Sequence, residues 1–110
     1  MKEQFADCLQ ACNDCAAECN HCATACLQEE DVTMMADCIA LDMDCAQACA
    51  FAAAAIARDS VHTADICMLC ADICQSCGEE CDQHAMQHCQ QCAIACFKCA
   101  DECRSMASIA

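Results

Sequence analysis

The stretch Cys8-Leu9-Gln10-Ala11-Cys12-Asn13-Asp14-Cys15-Ala16-Ala17-Glu18-Cys19-Asn20-His21-Cys22-Ala23-Thr24-Ala25-Cys26 decides the fold. Its cysteines stand 4, 3, 4, 3 and 4 residues apart. Alternating steps of 3 and 4 mark one face of an α-helix. A strand would repeat every 2 residues, and no two cysteines in the chain have that spacing. The register recurs three times. Cys38, Cys45 and Cys49 step by 7 and 4; Cys67, Cys70, Cys74, Cys77 and Cys81 step by 3, 4, 3 and 4; Cys89, Cys92, Cys96, Cys99 and Cys103 do the same. All 19 cysteines fit the pattern.

Four helices are therefore predicted, over about residues 3–28, 33–57, 61–82 and 85–106. Asp31 or Thr33 is expected to cap the second helix, and Asp59-Ser60 the third. Arg58 and Arg104 fall near helix C-termini, where cations suit the dipole. Gly78 lies inside the third stripe, but Cys81 keeps the phase, so at most a frayed last turn is expected. Short connections favour antiparallel neighbours. The prediction is an all-α, antiparallel up-down-up-down four-helix bundle with a cysteine-lined core, one domain over residues 1–110. Helices one, three and four read as diverged copies of one stripe pattern.

Composition shows why the stripes must hold the molecule together. Among 110 residues, Val, Ile, Leu and Phe number only 15, and the formal net charge is −14. Such a balance ordinarily signals disorder. Yet there are 24 alanines, 1 glycine and no proline, which favours helix. Four basic residues against 18 acidic ones argue against nucleic-acid binding. The longest apolar run, Ala48 to Ala57, falls short of the roughly 20 residues of a membrane span. No hydrophobic leader is seen in Met1-Lys2-Glu3-Gln4-Phe5-Ala6-Asp7. The cytosol, where thiols stay reduced, is the expected compartment. The odd cysteine count forbids a complete intramolecular disulfide set.

Each seam must face the bundle axis, because Asp14, Glu18, Asp65, Asp72, Glu79, Asp101 and Glu102 all fall off the stripes. Leu9, Ile39, Ile66, Leu69, Ile73, Ile94 and Phe97 flank the seams and are expected to seal helix contacts or an oligomer face. The axis then becomes a tube of thiols. One or two buried cysteines are ordinary packing, but leucine would fill a core better than nineteen thiols. Disulfides fit poorly: helical neighbours at 3 and 4 residues have Cβ atoms about 5–6 Å apart, against about 3.8 Å in a disulfide.

Metal binding fits. Six C-x2-C pairs interleave with eight C-x3-C pairs, so neighbours on one helix can share an ion with a facing helix. Soft thiolates select Cu(I), zinc or iron–sulfur clusters. A zinc ion on four thiolates leaves a double negative charge, and four such centres stacked on a dry axis would repel one another. Each Cu(I) instead replaces one thiol proton and leaves the core neutral. Iron–sulfur clusters take ligands converging on a compact core, in runs unlike a straight stripe.

At this point the chain resembles the bacterial copper storage proteins, of the cytosolic type. The likeness rests on Cys8-Leu9-Gln10-Ala11-Cys12-Asn13-Asp14-Cys15, Cys19-Asn20-His21-Cys22, Cys38-Ile39-Ala40-Leu41-Asp42 with Cys45, Cys67-Met68-Leu69-Cys70-Ala71-Asp72-Ile73-Cys74, Gly78-Glu79-Glu80-Cys81, the pair His84 and His88 before Cys89, and Cys103-Arg104-Ser105-Met106. It implies four-helix-bundle subunits, usually tetrameric, holding many Cu(I) ions on core cysteines.

Other residues extend the candidate ligand set. Asp42 falls on the second seam, in phase with Cys38 and Cys45. A core carboxylate is costly unless coordinated, hydrogen-bonded or protonated, so it reads as a ligand or partner of a core metal, or as a satisfied polar core residue. His84 and His88 continue the third stripe past Cys81, and Met35 lies on the second seam at the same end. Imidazole and thioether bind Cu(I) without losing a proton, so these three are candidates for a mouth; solvated loop histidines and a gap-filling methionine are the alternative. His21 reads as a surface or interface residue, His62 and Met106 mark the opposite end, and Met34, Met43, Met68 and Met86 read as packing residues.

No catalytic set, phosphate loop or nucleotide fold is seen, so no enzyme is expected. Three rivals to multi-ion Cu(I) storage stay open. A zinc or cadmium sequestering protein would take about one metal per four cysteines. A thiol-redox protein would want one exposed low-pKa cysteine. A copper chaperone would differ in carrying very few ions.

Overall fold

α1 runs over Glu3–Cys26, α2 over Ala36–Ala57, α3 over Thr63–Asp82 and α4 over Gln87–Ile109, with a 3-10 turn, Val32–Met35, leading into α2. The computed structural model describes residues 2–110, and no strand occurs among them. α1 and α2 pack together, as do α2 and α3, α3 and α4, and α1 and α4. That closes an up-down-up-down ring, 44 Å long and 18 by 17 Å across.

The helix ends show where local chemistry differs from expectation. α1 stops at Cys26, and the Leu27 and Gln28 amides close a turn on the carbonyls of Ala23 and Ala25. Asp31 caps the 3-10 turn rather than α2 itself, accepting from the Met34 amide at 3.3 Å, and α2 begins after Met35 with no side-chain cap. Asp59 does not cap α3. It adopts the left-handed conformation, φ 53°, and ends α2. The Ser60 amide bonds the Ala55 carbonyl at 3.0 Å and the Asp59 amide bonds the Ile56 carbonyl at 3.1 Å, a Schellman closure with aspartate where glycine is usual. Ser60 then serves the next helix: its hydroxyl accepts from the His62 amide at 3.1 Å, and its carbonyl accepts from the Thr63 hydroxyl at 2.6 Å. α4 begins later and runs further than expected. Arg104 therefore lies within the helix rather than at its end, donating to Gln75 at 3.3 Å and paired with Asp101 at 3.6 Å.

Gly78 is a packing residue, and α3 continues through it to Asp82 without fraying. A Cβ there would lie 2.7 Å from the Phe97 ring, so the missing side chain is what lets the aromatic ring of α4 lie against α3.

Every cysteine is at most 1% exposed. Buried alanines, among them Ala11, Ala46, Ala71, Ala93 and Ala100, stand beside the seams and let the helices close around the small thiols. Leu9, Ile39, Ile66, Ile73 and Phe97 pack against this core as expected. Leu69 and Ile94 do not: both are exposed. Met34, Met43 and Met68 are exposed as well, and of the four methionines read as packing residues only Met86 reaches the core. The bulky buried apolar side chains sit near the ends of the column, Met35 at one and Ile56 with Met106 at the other. His62, at the latter end, is exposed. One stretch, Val32–Ala57, is long and apolar enough to cross a membrane by length and composition. Its inner face carries Cys38, Asp42, Cys45, Cys49 and Ala52, all buried in the bundle.

Candidate metal centre

The four stripes meet on the axis as two runs of sulfur contacts with the Asp42 carboxyl between them. All 19 cysteines are free thiols. Near the connection of α3 to α4, Cys22 lies 3.9 Å from both Cys26 and Cys89, and Cys26 lies 3.9 Å from Cys38. Cys38 and Cys81 approach to 3.5 Å across α2 and α3. In the middle, Cys19 stands 3.7 Å from Cys92 and from Cys96, Cys15 stands 3.8 Å from Cys45, and Cys45 stands 3.5 Å from Cys74. Towards the far end the chain of contacts continues through Cys49 and Cys99 at 3.8 Å, Cys99 and Cys12 at 3.7 Å, Cys12 and Cys103 at 3.7 Å, and Cys103 and Cys8 at 3.9 Å. Cys70 and Cys77 join from α3, at 3.8 Å from Cys74 and 3.9 Å from Cys81. Cys67 is buried at the end that holds Cys8 and Cys103.

These separations suit thiolate-bound metal. A metal–sulfur bond of about 2.3 Å puts sulfurs about 4.0 Å apart in a triangle and about 3.8 Å in a tetrahedron. Several sets of four sulfurs lie within 4.8 Å of one another, including Cys15-Cys19-Cys45-Cys96, Cys19-Cys77-Cys92-Cys96 and Cys15-Cys49-Cys74-Cys99. Cys15, Cys19 and Cys96 belong to more than one set. Sharing of sulfurs between neighbouring sites describes bridging thiolates along a column rather than isolated centres.

Asp42 interrupts the sulfur with oxygen. Its side chain is fully buried. Oδ1 accepts from the thiols of Cys77 at 3.2 Å, Cys92 at 3.3 Å and Cys81 at 3.4 Å, and Oδ2 accepts from Cys38 at 3.8 Å. Burial, then the neighbouring charge of Cys92, pushes its carboxyl up to about 8. Burial also pushes two nearby thiols up, that of Cys89 to about 11, with Cys38 adding to it, and that of Cys26 in the same direction, whereas hydrogen bonds with Cys22 and Cys81 hold the Cys38 thiol well below its usual range. A metal entering here must displace protons, which ties its binding to pH.

His84 and His88 stand at the same end and both are part-buried, His84 in the connection between α3 and α4 and His88 in the first turn of α4. His88 Nδ1 lies 3.4 Å from Cys22 Sγ and 3.5 Å from Cys89 Sγ, so this ring joins the column. His84 is turned to Glu80, with Nε2 2.8 Å from the carboxylate. Met35 is buried at the same end, packed in the core cluster. His21 is exposed, as expected of a surface residue. The spacing of the stripes did not single out Glu29 and Glu80, which lie off the seams yet hold the two rings. The surface grooves lie apart from the column; the one between α1 and α4, lined by Ala11, Asp14, Ile94 and Lys98 among others, contains no cysteine.

A closed helical bundle whose axis is lined with nineteen buried thiols defines a class: proteins that hold soft metal ions inside a fold. Comparison with known proteins agrees. The family model described as copper storage protein matches residues 1–108, and the chain belongs to that family. A Cu(I)-bound copper storage protein, BsCsp3, is 50% identical, with 96% of this chain and 99% of that one covered and a TM-score of 0.91. The apo form of copper storage protein 3 from Bacillus subtilis is 51% identical over 93% of this chain and 97% of that one, with a TM-score of 0.87. A cytosolic copper storage protein from Streptomyces lividans, carrying five coppers, is 38% identical over 96% and 93%, with a TM-score of 0.93. No match among curated protein sequences is found.

Proposed function

We propose that this chain stores many Cu(I) ions at once on the thiolates of its axis, limiting their toxicity and keeping a reserve in the cytoplasm. The observation that carries this reading is the buried sulfur of the axis, in two runs of contacts 3.5 to 4.0 Å apart that Asp42 and the Cys19-Cys77-Cys92-Cys96 set join, and in which single sulfurs belong to several four-sulfur sets. Charge selects the ion. One Cu(I) per displaced proton keeps the column neutral, whereas zinc on four thiolates would stack negative centres inside a chain already at −14. All nineteen cysteines are the proposed ligands. Asp42 is the proposed oxygen donor to ions held near Cys38, Cys77, Cys81 and Cys92. His84, His88 and Met35 are the proposed mouth, the end at which ions enter and leave.

The chain acts in this reading as a container and not as an enzyme. Its partners are copper ions and further copies of itself in a tetramer, with the exposed Leu69 and Ile94 available to subunit contacts. The acidic exterior keeps it soluble.

An anaerobic Cu(I) titration of the reduced protein against a chromophoric chelator, with zinc titrated in parallel, tests the reading. The expected endpoint approaches or exceeds about one copper per two cysteines. One or two coppers would mean a chaperone, and about four zinc ions held more firmly than copper would mean a zinc protein.

A further inference from the structure

Both histidines at the mouth place Nε2 on a carboxylate, but by different routes. His84 pairs with Glu80 one turn earlier on α3, at 2.8 Å. His88 pairs with Glu29 at 2.9 Å, across 59 residues of sequence, from the connection after α1 to the first turn of α4. The second pair is part-buried, with His88 14% and Glu29 32% exposed.

The Glu29 contact determines which face His88 offers to the thiols. A carboxylate provides only acceptors, so the hydrogen shared by the two groups sits on His88 Nε2. In a neutral imidazole Nδ1 then carries the lone pair. Nδ1 is the atom that faces Cys22 and Cys89 at 3.4 and 3.5 Å. Without Glu29 the ring is free to carry its hydrogen on Nδ1, where it would present no electron pair to an ion, and free to turn away from the sulfurs.

We propose that Glu29 is a positioning residue for copper transfer: through the Nε2–H bond it fixes the tautomer and orientation that aim His88 Nδ1 at an ion held by Cys22 and Cys89. This rests on the reading of His88 as a mouth ligand. Carboxylate partners of metal-binding histidines typically change affinity or activity by roughly 10–100-fold when removed. Glu80 is not assigned the same role, because its bond is local to one helix end and does not direct a ring nitrogen at a known pair of sulfurs.

The test is anaerobic removal of Cu(I) from the loaded protein by a chromophoric chelator, in stopped flow, for wild type, Glu29→Ala, Glu29→Gln, His88→Ala and the Glu29→Ala/His88→Ala double variant. Glu29→Ala is expected to slow transfer by roughly tenfold or more, with capacity unchanged. Glu29→Gln should restore most of the rate, because its side-chain oxygen accepts the same hydrogen. Glu29→Ala should add nothing once His88 is gone. Nitrogen-15 NMR of the metal-free protein should show His88 in the Nε2–H form, shifting to a mixture in Glu29→Ala. Unchanged transfer in His88→Ala would remove the mouth reading itself. Slow transfer in His88→Ala with wild-type rates in Glu29→Ala, an additive double variant, or an Nδ1–H tautomer in the wild type would overturn the role of Glu29 alone.

Discussion

The two ends of the bundle each bury a methionine, but they differ in what surrounds it. At one, His88 meets the sulfurs of Cys22 and Cys89, and Glu29 and Glu80 hold the two histidines. At the other, Ile56 and Met106 are buried beside Phe5, and the nearby His62 stays outside. In the proposed reading a soft ion is handed from imidazole to thiolate at the first end. At the second, Ile56 and Phe5 offer an ion no ligand, and the Met106 thioether is the one soft donor among the three. The comparison shows that the stripe alone does not define the device. The same spacing runs through both ends, and the residues that terminate it give them different roles.

The largest expected effect separates the ends by readout. Met106→Ala should destabilise the metal-free protein by about 2–5 kcal/mol, the cost of a large buried side chain and its cavity, measured by urea unfolding under reducing conditions. It should not slow copper removal. The His84→Ala/His88→Ala variant should do the reverse, with chelator removal slowed and capacity intact. Equal slowing by both variants would erase the distinction between the ends.

Asp42 sharpens the comparison from inside, where the thiols of the mouth give way to those of the interior. Its carboxyl is pushed up to about 8 by burial and then by Cys92, above its unfolded value near 4. A raised folded pKa gives stability that is full below the unfolded pKa and lost as pH rises through the folded one. The thermal midpoint of metal-free wild type should therefore fall between about pH 4 and pH 8 relative to Asp42→Asn, at most about 1.4 kcal/mol per unit of separation. A constant difference between the two proteins across that range would contradict a buried, protonated carboxyl.

Smaller effects follow from packing and capping. Gly78→Ala should cost about 1–3 kcal/mol by overpacking against Phe97, seen as a lower urea midpoint with unchanged copper capacity. Asp31→Ala, which removes the cap on the turn leading to the mouth, should cost about 1 kcal/mol. An Asp31→Ala loss as large as that of Met106→Ala would mean that the mouth end, and not the end holding Ile56 and Met106, carries the fold.

Much of the molecule was legible because a single spacing encodes it. Nineteen cysteines in helical register predicted four helices and the thiol axis and placed Asp42 inside it, and the short connections predicted the antiparallel order. The features that escaped are those that periodicity does not encode. Asp59 closes α2 in a left-handed conformation usually marked by glycine, so it read as a cap for the next helix. Glu29 and Glu80 lie off the seams and resemble any solvated acid. Only the folded chain brings Glu29 to His88, 59 residues away. Met34, Met43 and Met68 look like core residues by type, but their positions turn them outward. Gly78 looked like a weak point in α3 because the ring that needs its missing side chain belongs to α4.

The central claim is that copper occupies the axis of the bundle as a shared-thiolate column. Anomalous scattering at the copper edge, from crystals of the fully loaded protein, tests it most directly. The expected result is a file of peaks along the 44 Å bundle, each beside two or more cysteine sulfurs and extending from His88 towards Cys103. Peaks confined to one or two sites at the histidine end, or scattered over the surface carboxylates with an empty axis, would contradict it.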